Sequence, residues 1–505
     1  MKKMIALLAA FAAATVMVNL ARAEDWPMWG RTPNRMMISP EKNPPTEWDV
    51  ESGKNIKWKA TLGSQSYANP VIAGGLVFMG TNNEAKRDPK ITEDAGNFMI
   101  FRESTGEFLY QRVSTKLKAG RVVDWPYQGV CSTACAEGDF VWYCTNRCEV
   151  VCLDVSPLRK GTGQPKEVWV VDMMAALGVF PHNMTASSPA ILENKLYVMT
   201  GNGVDESHKN VPSPKAPGIV CFDKTTGKVI WSDNAAGEGV LHGQWSSADI
   251  VTVNGVTQVI CPMGDSWVRS YEADTGKLLW KCDANKKDTV YPTTRNELIA
   301  TPVVVDNIMY LANGQDPEHG EGVGRFIAVD ITKTGDLSME LDNPEAKSAK
   351  PGEELMGEAG KIKSKGIPNP NSGVLWDFER LPNVGAKAKG NQRMNRSIST
   401  AVVYEGLVYI ADFSGYLRCF DAKTGQLYWT HDLEGATWGS PTIADGKLYQ
   451  ANGDAGEVFV IQTGKKYEEI ARINMGSPIY CSPVFSNGVL YISTRDKLYA
   501  IEQKK

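Results

Sequence analysis

The chain has 505 residues, of which 54 are lysine or arginine and 58 are aspartate or glutamate. This balance offers neither a basic surface for nucleic acid nor a strongly acidic one, so DNA and RNA are not expected as partners. The content of 14 Trp, 17 Tyr, 14 Phe and 47 Gly favours many short β-strands joined by tight turns.

The N-terminus has the features of a secretory signal peptide. Two lysines precede an apolar stretch from Ile5 to Leu20, and cleavage is predicted after Ala23. The apolar stretch lacks the roughly 18 residues that a spanning helix needs, and no later segment supplies them. No cysteine follows the cleavage site, so a lipid anchor is not predicted. We therefore expect a periplasmic or secreted protein without a transmembrane segment.

One sequence cassette recurs along the chain. Each copy opens with a small polar residue, often before proline, and continues through apolar strands in which large and small residues alternate. Second strands are predicted at Leu196 to Thr200, Ile308 to Ala312, Leu407 to Ala411 and Leu490 to Thr494. The eight copies open at Asn69, Thr133, Ser188, Ser247, Thr301, Thr400, Ser440 and Ser482.

A turn of the form Asp-x-x-Thr-Gly follows the third strand, since glycine adopts positive φ readily. A fourth strand then ends on a tryptophan that would lodge between neighbouring sheets. Four strands in each of eight repeats predict an all-β, eight-bladed propeller of antiparallel blades around a channel. The tryptophans in this place are Trp169, Trp231, Trp280, Trp376 and Trp429.

The two ends of the chain are predicted to close one blade together. The last copy lacks a fourth strand, whereas residues 55–60 form an orphan strand with Trp58 in the tryptophan position. Joining them leaves no open sheet edge. The predicted domains are a signal peptide (1–23), an extension packing on the propeller (24–54) and the propeller itself (55–505).

Residues 332–372 interrupt the fifth blade. Their richness in Lys, Glu, Pro and Gly predicts a flexible surface insertion.

The cassette resembles the pyrroloquinoline-quinone-type repeat of quinoprotein propellers over roughly residues 55–505. That family includes quinone-dependent alcohol dehydrogenases and the BamB scaffold of outer-membrane assembly. Three further stretches resemble exported quinoprotein-like propellers of planctomycetes: residues 25–30, residues 81–89 and residues 314–320. The second stretch makes three residues candidates for ligand or cofactor contacts, namely Asn82, Asn83 and Arg87.

Long loops collect on one face of the predicted propeller. Loops between second and third strands and connections between blades emerge on the same face, where function usually resides. The long ones span residues 80–97, 201–218 and 313–324. Two interpretations of the histidines on this face stay open: a metal or proton-transfer site, or polar loop residues that bond backbone groups. These histidines are His182, His208, His242, His319 and His431.

Trp245 and Trp438 stand just before first strands, near the predicted mouth of the channel. Either indole could be the surface on which a flat quinone stacks. The alternative is that both tryptophans pack beneath neighbouring connections.

The ten cysteines fall in a compartment that permits disulfides. Cys144 and Cys148 flank a turn between two strands, which makes a disulfide between them a hypothesis. Three others, Cys152, Cys221 and Cys419, share one repeat position, a slot for a small buried side chain. The sequence has neither a Cys-x-x-Cys-His haem motif nor the adjacent cysteines of many quinoprotein dehydrogenases.

Two functions of different class follow. The first is a scaffold in the cell envelope that binds a small-molecule ligand or an envelope protein at its long-loop face. The alternative, implied by the resemblance, is an alcohol or sugar dehydrogenase that uses pyrroloquinoline quinone and calcium. The candidates for that chemistry are Asp265 or Asp316 as base, Asn202, Asn313 or Glu297 toward calcium, and Arg295 or Arg396 toward the quinone carboxylates; His242 and His319 are further ligand candidates.

Overall fold

Eight four-stranded antiparallel sheets form a ring in the computed structural model, which describes residues 25–346, 365–385 and 387–503. The first strand of each sheet lies innermost, and eight hydrophobic clusters fill the spaces between neighbouring sheets. The predicted eight-bladed propeller is confirmed. The signal peptide assigned to residues 1–23 lies outside the described residues.

Blades 1 to 4 run outward from the channel in chain order, as predicted from the cassette. Their strands are Val71–Ala73, Leu76–Asn82, Ala95–Arg102 and Phe108–Thr115 (blade 1); Cys135–Glu137, Phe140–Cys144, Glu149–Asp154 and Lys166–Asp172 (blade 2); Ala190–Leu192, Lys195–Met199, Ile219–Asp223 and Val229–Asp233 (blade 3); and Asp249–Val253, Val256–Pro262, Trp267–Glu272 and Leu278–Asp283 (blade 4).

Blades 5 to 8 repeat the same order, except that the outer strand of blade 8 comes from the N-terminus. Their strands are Val303–Val305, Ile308–Asn313, Arg325–Asp330 and Val374–Phe378 (blade 5); Val402–Tyr404, Leu407–Ala411, Tyr416–Asp421 and Leu427–Asp432 (blade 6); Thr442–Ala444, Lys447–Ala451, Glu457–Gln462 and Glu469–Asn474 (blade 7); and Val484–Ser486, Val489–Ser493, Lys497–Ile501 and Ile56–Thr61 (blade 8).

Helices are few and short. No helix within the described ranges is long and apolar enough to cross a membrane. The α-helices are Ser156–Lys160 and Met173–Leu177, and the 3₁₀ helices are Gly237–Gly239, Pro317–His319 and Gly390–Gln392.

The ring closes through the N-terminal strand, as predicted. Ile56–Thr61 pairs antiparallel with Lys497–Ile501, and Trp58 lies opposite Ala500. The N-terminal strand therefore covers the outer edge of Lys497–Ile501 and completes the four strands of blade 8.

The outer-strand tryptophans explain both the small-residue slot and the Thr-Gly turns. Each indole lies opposite a small residue of the third strand, and most also pack against the turn glycine of the next blade, where a Cβ would come within 2.6–2.8 Å of the ring. Glycine is therefore required for this close approach. The cross-strand pairs are Trp169–Cys152, Trp231–Cys221, Trp280–Ser270, Trp376–Ala328 and Trp429–Cys419.

The N-terminal extension crosses the channel on the face opposite the long loops. Trp26 bridges to Ile72 of blade 1, and Ile38–Ser39 adds a parallel strand to the inner strand of blade 7. On the way, the chain bonds blades 2 and 4 through the carbonyls of Pro27 and Pro33. The extension therefore spans the channel.

The described parts of the insertion in blade 5 form short paired strands. Gly335–Asp336 adds a parallel strand to the outer edge of blade 4. Glu340–Asp342 pairs with Gly366–Pro368 in a small two-stranded sheet. The predicted flexibility of residues 347–364 falls outside the described residues.

Candidate functional site

The channel contains a cavity of about 380 Å³ that is lined by two rings of repeat-equivalent residues. The polar belt is formed by the residues that open the eight cassettes. The mouth ring is formed by the residues two positions earlier, nearer the loop face: Tyr67, Cys131, Ala186, Trp245, Ile299, Ile398, Trp438 and Tyr480.

Hydrogen bonds link the polar belt around the channel. In seven neighbouring pairs, the backbone N–H of one belt residue donates to the side-chain oxygen of the next, over 2.6–3.3 Å. The last link joins Ser482 back to Asn69 at 2.6 Å. These bonds hold the side chains in place, so the belt forms a fixed polar wall.

The mouth ring is aromatic on the side of blades 1, 7 and 8. Tyr67 stacks on Tyr480 with ring centroids 5.2 Å apart, and Trp438 lies 5.0 Å from Tyr480 and 5.7 Å from Tyr67. We call these three residues the aromatic wall. Flat conjugated ligands stack on such surfaces.

The N-terminal extension closes the other end of the channel. Trp29 lines the cavity from below, and its carbonyl accepts from the Arg35 guanidinium at 2.7 Å. Arg35 is fully buried and also donates to the carbonyls of Ser188 and Ala248. Burial lowers the pKa of Arg35 to about 10, which leaves it charged at neutral pH. The channel is therefore blind and opens only toward the long loops.

Three histidines converge beside the mouth ring on the side of blades 3 to 5. Ring centroids are 4.3 Å apart for His182 and His242, 4.6 Å for His208 and His242, and 5.0 Å for His182 and His208. We call them the histidine triad. His182 and His242 come from connections between blades, and His208 comes from the long loop of blade 3.

Backbone contacts hold the triad in place. The Nδ1 of His182 is 2.7 Å from the Val204 carbonyl, and the His182 carbonyl accepts from the Trp245 indole at 3.0 Å. Gly203 fits beneath the triad because an added Cβ would lie 2.5 Å from the His242 carbonyl oxygen. Burial, together with the neighbouring His242, lowers the pKa of His182 to about 4, so His182 is neutral.

A carboxylate group continues the cluster beyond His242. Glu297 Oε1 and Asp316 Oδ2 each lie 3.4 Å from His242 Nδ1. Asp316 also caps the turn Pro317–His319 and pairs with His319 Nδ1 at 2.5 Å. This hydrogen bond raises the pKa of His319. The pKa of Asp316 is lowered because its hydrogen bonds to His319 outweigh the effect of burial.

Several predicted contact residues are committed to internal bonds. Asn82 bonds Ser64 and the Tyr127 carbonyl, and the carboxamide of Asn83 closes its own loop. Arg87 lies over Phe108 and donates to the Thr61 carbonyl. Stacking and backbone bonding explain these three side chains without a ligand.

The side chains suggested for calcium and quinone are also occupied. Asn202 accepts from the Phe180 N–H and donates to Ser213, while Asn313 bonds Ala284, Asn285 and Arg325. Two further pairs are buried ion pairs, Arg295 with Asp283 and Asp265 with Arg269. Arg396 bonds four loop groups around His319 and Pro292. The asparagines and arginines suggested for calcium and quinone are thus engaged with protein groups, whereas Glu297 Oε2 is buried without a hydrogen-bond partner among the described residues.

The remaining candidates divide between the two sides of the mouth. Trp245 lines the cavity near its mouth, and its ring also packs 5.0 Å from that of His242 in a connection between blades. Its position therefore combines the two alternatives, the channel mouth and the packing against a connection. His431 lies apart from the triad, in the outer strand of blade 6, stacked 4.1 Å from Tyr467. Cys144 and Cys148, the pair suggested for a disulfide, are free buried thiols, and Cys148 Sγ contacts the Thr200 carbonyl.

Sequence reasoning missed the aromatic partners of Trp438. Tyr67 and Tyr480 occupy the same repeat position as Trp438, so extending the cassette alignment by two positions toward the N-terminus would have found them. Trp29 had no such signal because it lies outside the repeat.

This architecture is that of a quinoprotein-type propeller. It combines four-stranded antiparallel blades, an N-terminal strand that closes the ring and a channel covered at one end. The chain belongs to the family described as outer membrane protein assembly factor BamB, whose sequence model matches residues 154–349 and 367–467.

Comparisons with individual proteins agree with this family. The outer membrane protein assembly factor BamB of Salmonella typhimurium is 23% identical over 345 residues, which cover 67% of this chain and 79% of the relative. The structure of BamB from Moraxella catarrhalis matches with a TM-score of 0.54 and 12% identity, covering 89% of this chain and 97% of that one. A europium-containing methanol dehydrogenase matches with a TM-score of 0.60 and 11% identity, covering 95% of this chain and 98% of that one. The two structural matches establish a shared fold alone.

Proposed function

We propose that the protein is an exported propeller of the cell envelope that acts as a scaffold and binds a small, flat organic ligand in its blind channel. The closed channel carries this proposal. Its volume of about 380 Å³ falls within the range of small-molecule pockets, about 300–1,000 Å³. An aromatic wall on one side and a fixed polar belt below supply the mixture of stacking and hydrogen-bonding surface that such ligands use.

The envelope location rests on the family and on the N-terminus. Both the family and the Salmonella relative carry the name of an outer-membrane assembly factor. A signal peptide cleaved after Ala23 would deliver the chain to the periplasm or beyond. An envelope protein docked on the loop face is the second way in which this scaffold could act.

Quinone-dependent dehydrogenation has less support. The base suggested at Asp265 is held by Arg269 through two short bonds, and the asparagines and arginines suggested for calcium and quinone are bonded elsewhere. Asp316, the other suggested base, lines the cavity but is hydrogen-bonded to His319, and the histidine triad beside the mouth offers imidazoles, which calcium does not favour. We therefore place the quinone among possible flat ligands and assign it no reaction.

Ligand titration tests the proposal. The purified mature protein would be titrated by calorimetry with planar aromatic carboxylates, including pyrroloquinoline quinone, with and without calcium. We expect saturable binding in the micromolar range that is independent of calcium. Trp438→Ala should weaken it about fivefold or more, since stacking on an aromatic side chain contributes about 1 kcal/mol or more.

Trp267→Ala is the matched control, because Trp267 lies against lysines on blade 4 and does not line the cavity. It should leave the affinity unchanged. Lack of binding by every planar compound would overturn the ligand proposal and leave a protein partner as the function to seek. Reduction of an artificial electron acceptor by the quinone-loaded protein with an alcohol would instead favour the dehydrogenase.

A further inference from the structure

We propose that the histidine triad is a binding site for a late first-row transition metal ion, with Zn²⁺ as the ion it fits. This inference concerns different side chains from the aromatic wall and does not depend on the proposed ligand. It assigns a chemical role to three of the five histidines of the chain.

The spacing of the triad suits one tetrahedral ion. One nitrogen from each of His182, His208 and His242 lies within 4.8 Å of the other two. Nitrogens bound to zinc at about 2.0–2.1 Å lie about 3.3 Å from one another in a tetrahedral site. Closing the difference needs a small movement of His208, whose side chain is exposed and therefore free to adjust.

Buried nitrogen atoms without partners are the second observation. His182 and His242 are fully buried, and the Nε2 atoms of both have no hydrogen-bond partner among the described residues. A buried polar atom left unpaired is costly, so such atoms in a native protein call for a ligand or water. Both atoms belong to residues of the triad.

The tautomer of His182 is the one that a metal needs. Its Nδ1 lies 2.7 Å from the Val204 carbonyl, which only accepts, so Nδ1 carries the proton and Nε2 keeps its lone pair. Metal-binding histidines commonly donate their second N–H to a backbone carbonyl in this way.

Glu297 and Asp316 give His242 its outer partners. Their oxygens face His242 Nδ1 at 3.4 Å, and a carboxylate behind a ligating imidazole fixes the ring and raises its basicity. His242 Nδ1 makes no hydrogen bond to them in the structure, so binding of the ion through Nε2 would leave Nδ1 free to donate to one of these carboxylates after a small closure.

His208 is presented by a turn that is fixed by its own bonds. The carboxylate of Asp205 accepts from Ser207 and Asn210, and the His208 N–H donates to the Asp205 carbonyl at 3.0 Å. These bonds fix the backbone of the turn that carries His208.

A second group, formed by His242, Glu297 and His319, is also compact. It is a weaker candidate because His319 Nδ1 is paired with Asp316 and Glu297 Oε1 accepts from Tyr291 at 3.1 Å. Three imidazoles favour zinc and its neighbours in the transition series over calcium or magnesium, which prefer oxygen ligands.

Metal titration of the chelator-stripped mature protein tests the site. Calorimetry with ZnCl₂ should give one ion per chain, and Co²⁺ should give the visible absorption of a tetrahedral complex. His208→Gln should weaken zinc binding by at least about tenfold, the lower end of losses seen when metal-site residues are altered. His208 is exposed, so this variant should fold like the wild type, which circular dichroism would verify.

His431→Gln is the control, since His431 packs on Tyr467 away from the triad. It should bind zinc as the wild type does. The proposal is overturned if the wild type binds no zinc, if His208→Gln leaves affinity unchanged, or if His431→Gln weakens it equally. Trp438→Ala should retain zinc, which separates failure of this site from failure of the ligand channel.

Discussion

The two sides of the channel mouth use the same repeat position for different purposes. On one side, Trp438 packs against Tyr480 with the two rings tilted by 59°, and both side chains line the cavity. On the other side, the equivalent Trp245 donates to the His182 carbonyl and supports the histidine triad. One cassette thus supplies both a stacking surface and a buttress for polar groups. The repeat fixes where a side chain lies, and its neighbours decide what it does.

If the two sides of the channel mouth are independent, a substitution behind the histidines should leave ligand binding at the aromatic wall unchanged. Arg396→Met gives the largest expected effect, because the buried guanidinium bonds the carbonyls of Pro292, His319 and Gly320. Leaving these carbonyls unpaired should cost about 3 kcal/mol of stability. Chemical denaturation would measure the loss, and binding of a planar ligand at the aromatic wall should be unchanged in the folded variant.

Arg87→Met is the matched control, since that guanidinium makes one backbone bond at a partly exposed position. Its effect should stay below about 1 kcal/mol. Equal losses in both variants would contradict the view that Arg396 braces the histidine side.

Gly203→Ala probes the triad from beneath. The new Cβ would lie 2.5 Å from the His242 carbonyl oxygen and 2.6 Å from His182 Cβ, so the loop must shift. We expect a stability loss of about 1–3 kcal/mol, as for overpacked cores, and weaker zinc binding. Thermal unfolding and zinc calorimetry would measure the two effects.

Gly385→Ala provides the reference, because nothing lies within 4 Å of its added Cβ. A Gly203→Ala protein with wild-type zinc affinity would show that the triad does not depend on this close approach.

Asp249→Asn tests the floor beneath both sides through the pH dependence of stability. Burial raises the pKa of Asp249 from 3.8 to about 8, against the opposing charge of Arg35. The folded state therefore keeps this proton while the unfolded state loses it, and stability falls as pH rises from about 4 to 8. The melting temperature of Asp249→Asn, taken relative to that of the wild type at the same pH, should rise from pH 5 to pH 8. A constant difference would contradict the raised pKa.

Most of the fold could be predicted because it is periodic. Leu407–Ala411 was predicted to the residue, and Trp58 was placed in the last blade because its neighbours match the cassette. The triad could not be predicted in this way. His182, His208 and His242 meet through three loops whose conformations depend on bonds such as that from His182 to Val204. The part of the N-terminal extension that closes the channel, with Trp29 and Arg35, could not be predicted either, because it lies outside the repeats.

The closure of blade 8 sets the order in which the protein can become stable. Ile56–Thr61 and Lys497–Ile501 are separated by more than four hundred residues, yet they are adjacent strands. Such distant pairings are entropically expensive to form and belong to slow-folding topologies. Blade 8, and with it the ring, can therefore be completed only after Lys497–Ile501 has been synthesised and has paired with Ile56–Thr61. Until then, the inner edges of an incomplete ring remain available to wrong partners, so assembly of this propeller should benefit from protection by chaperones.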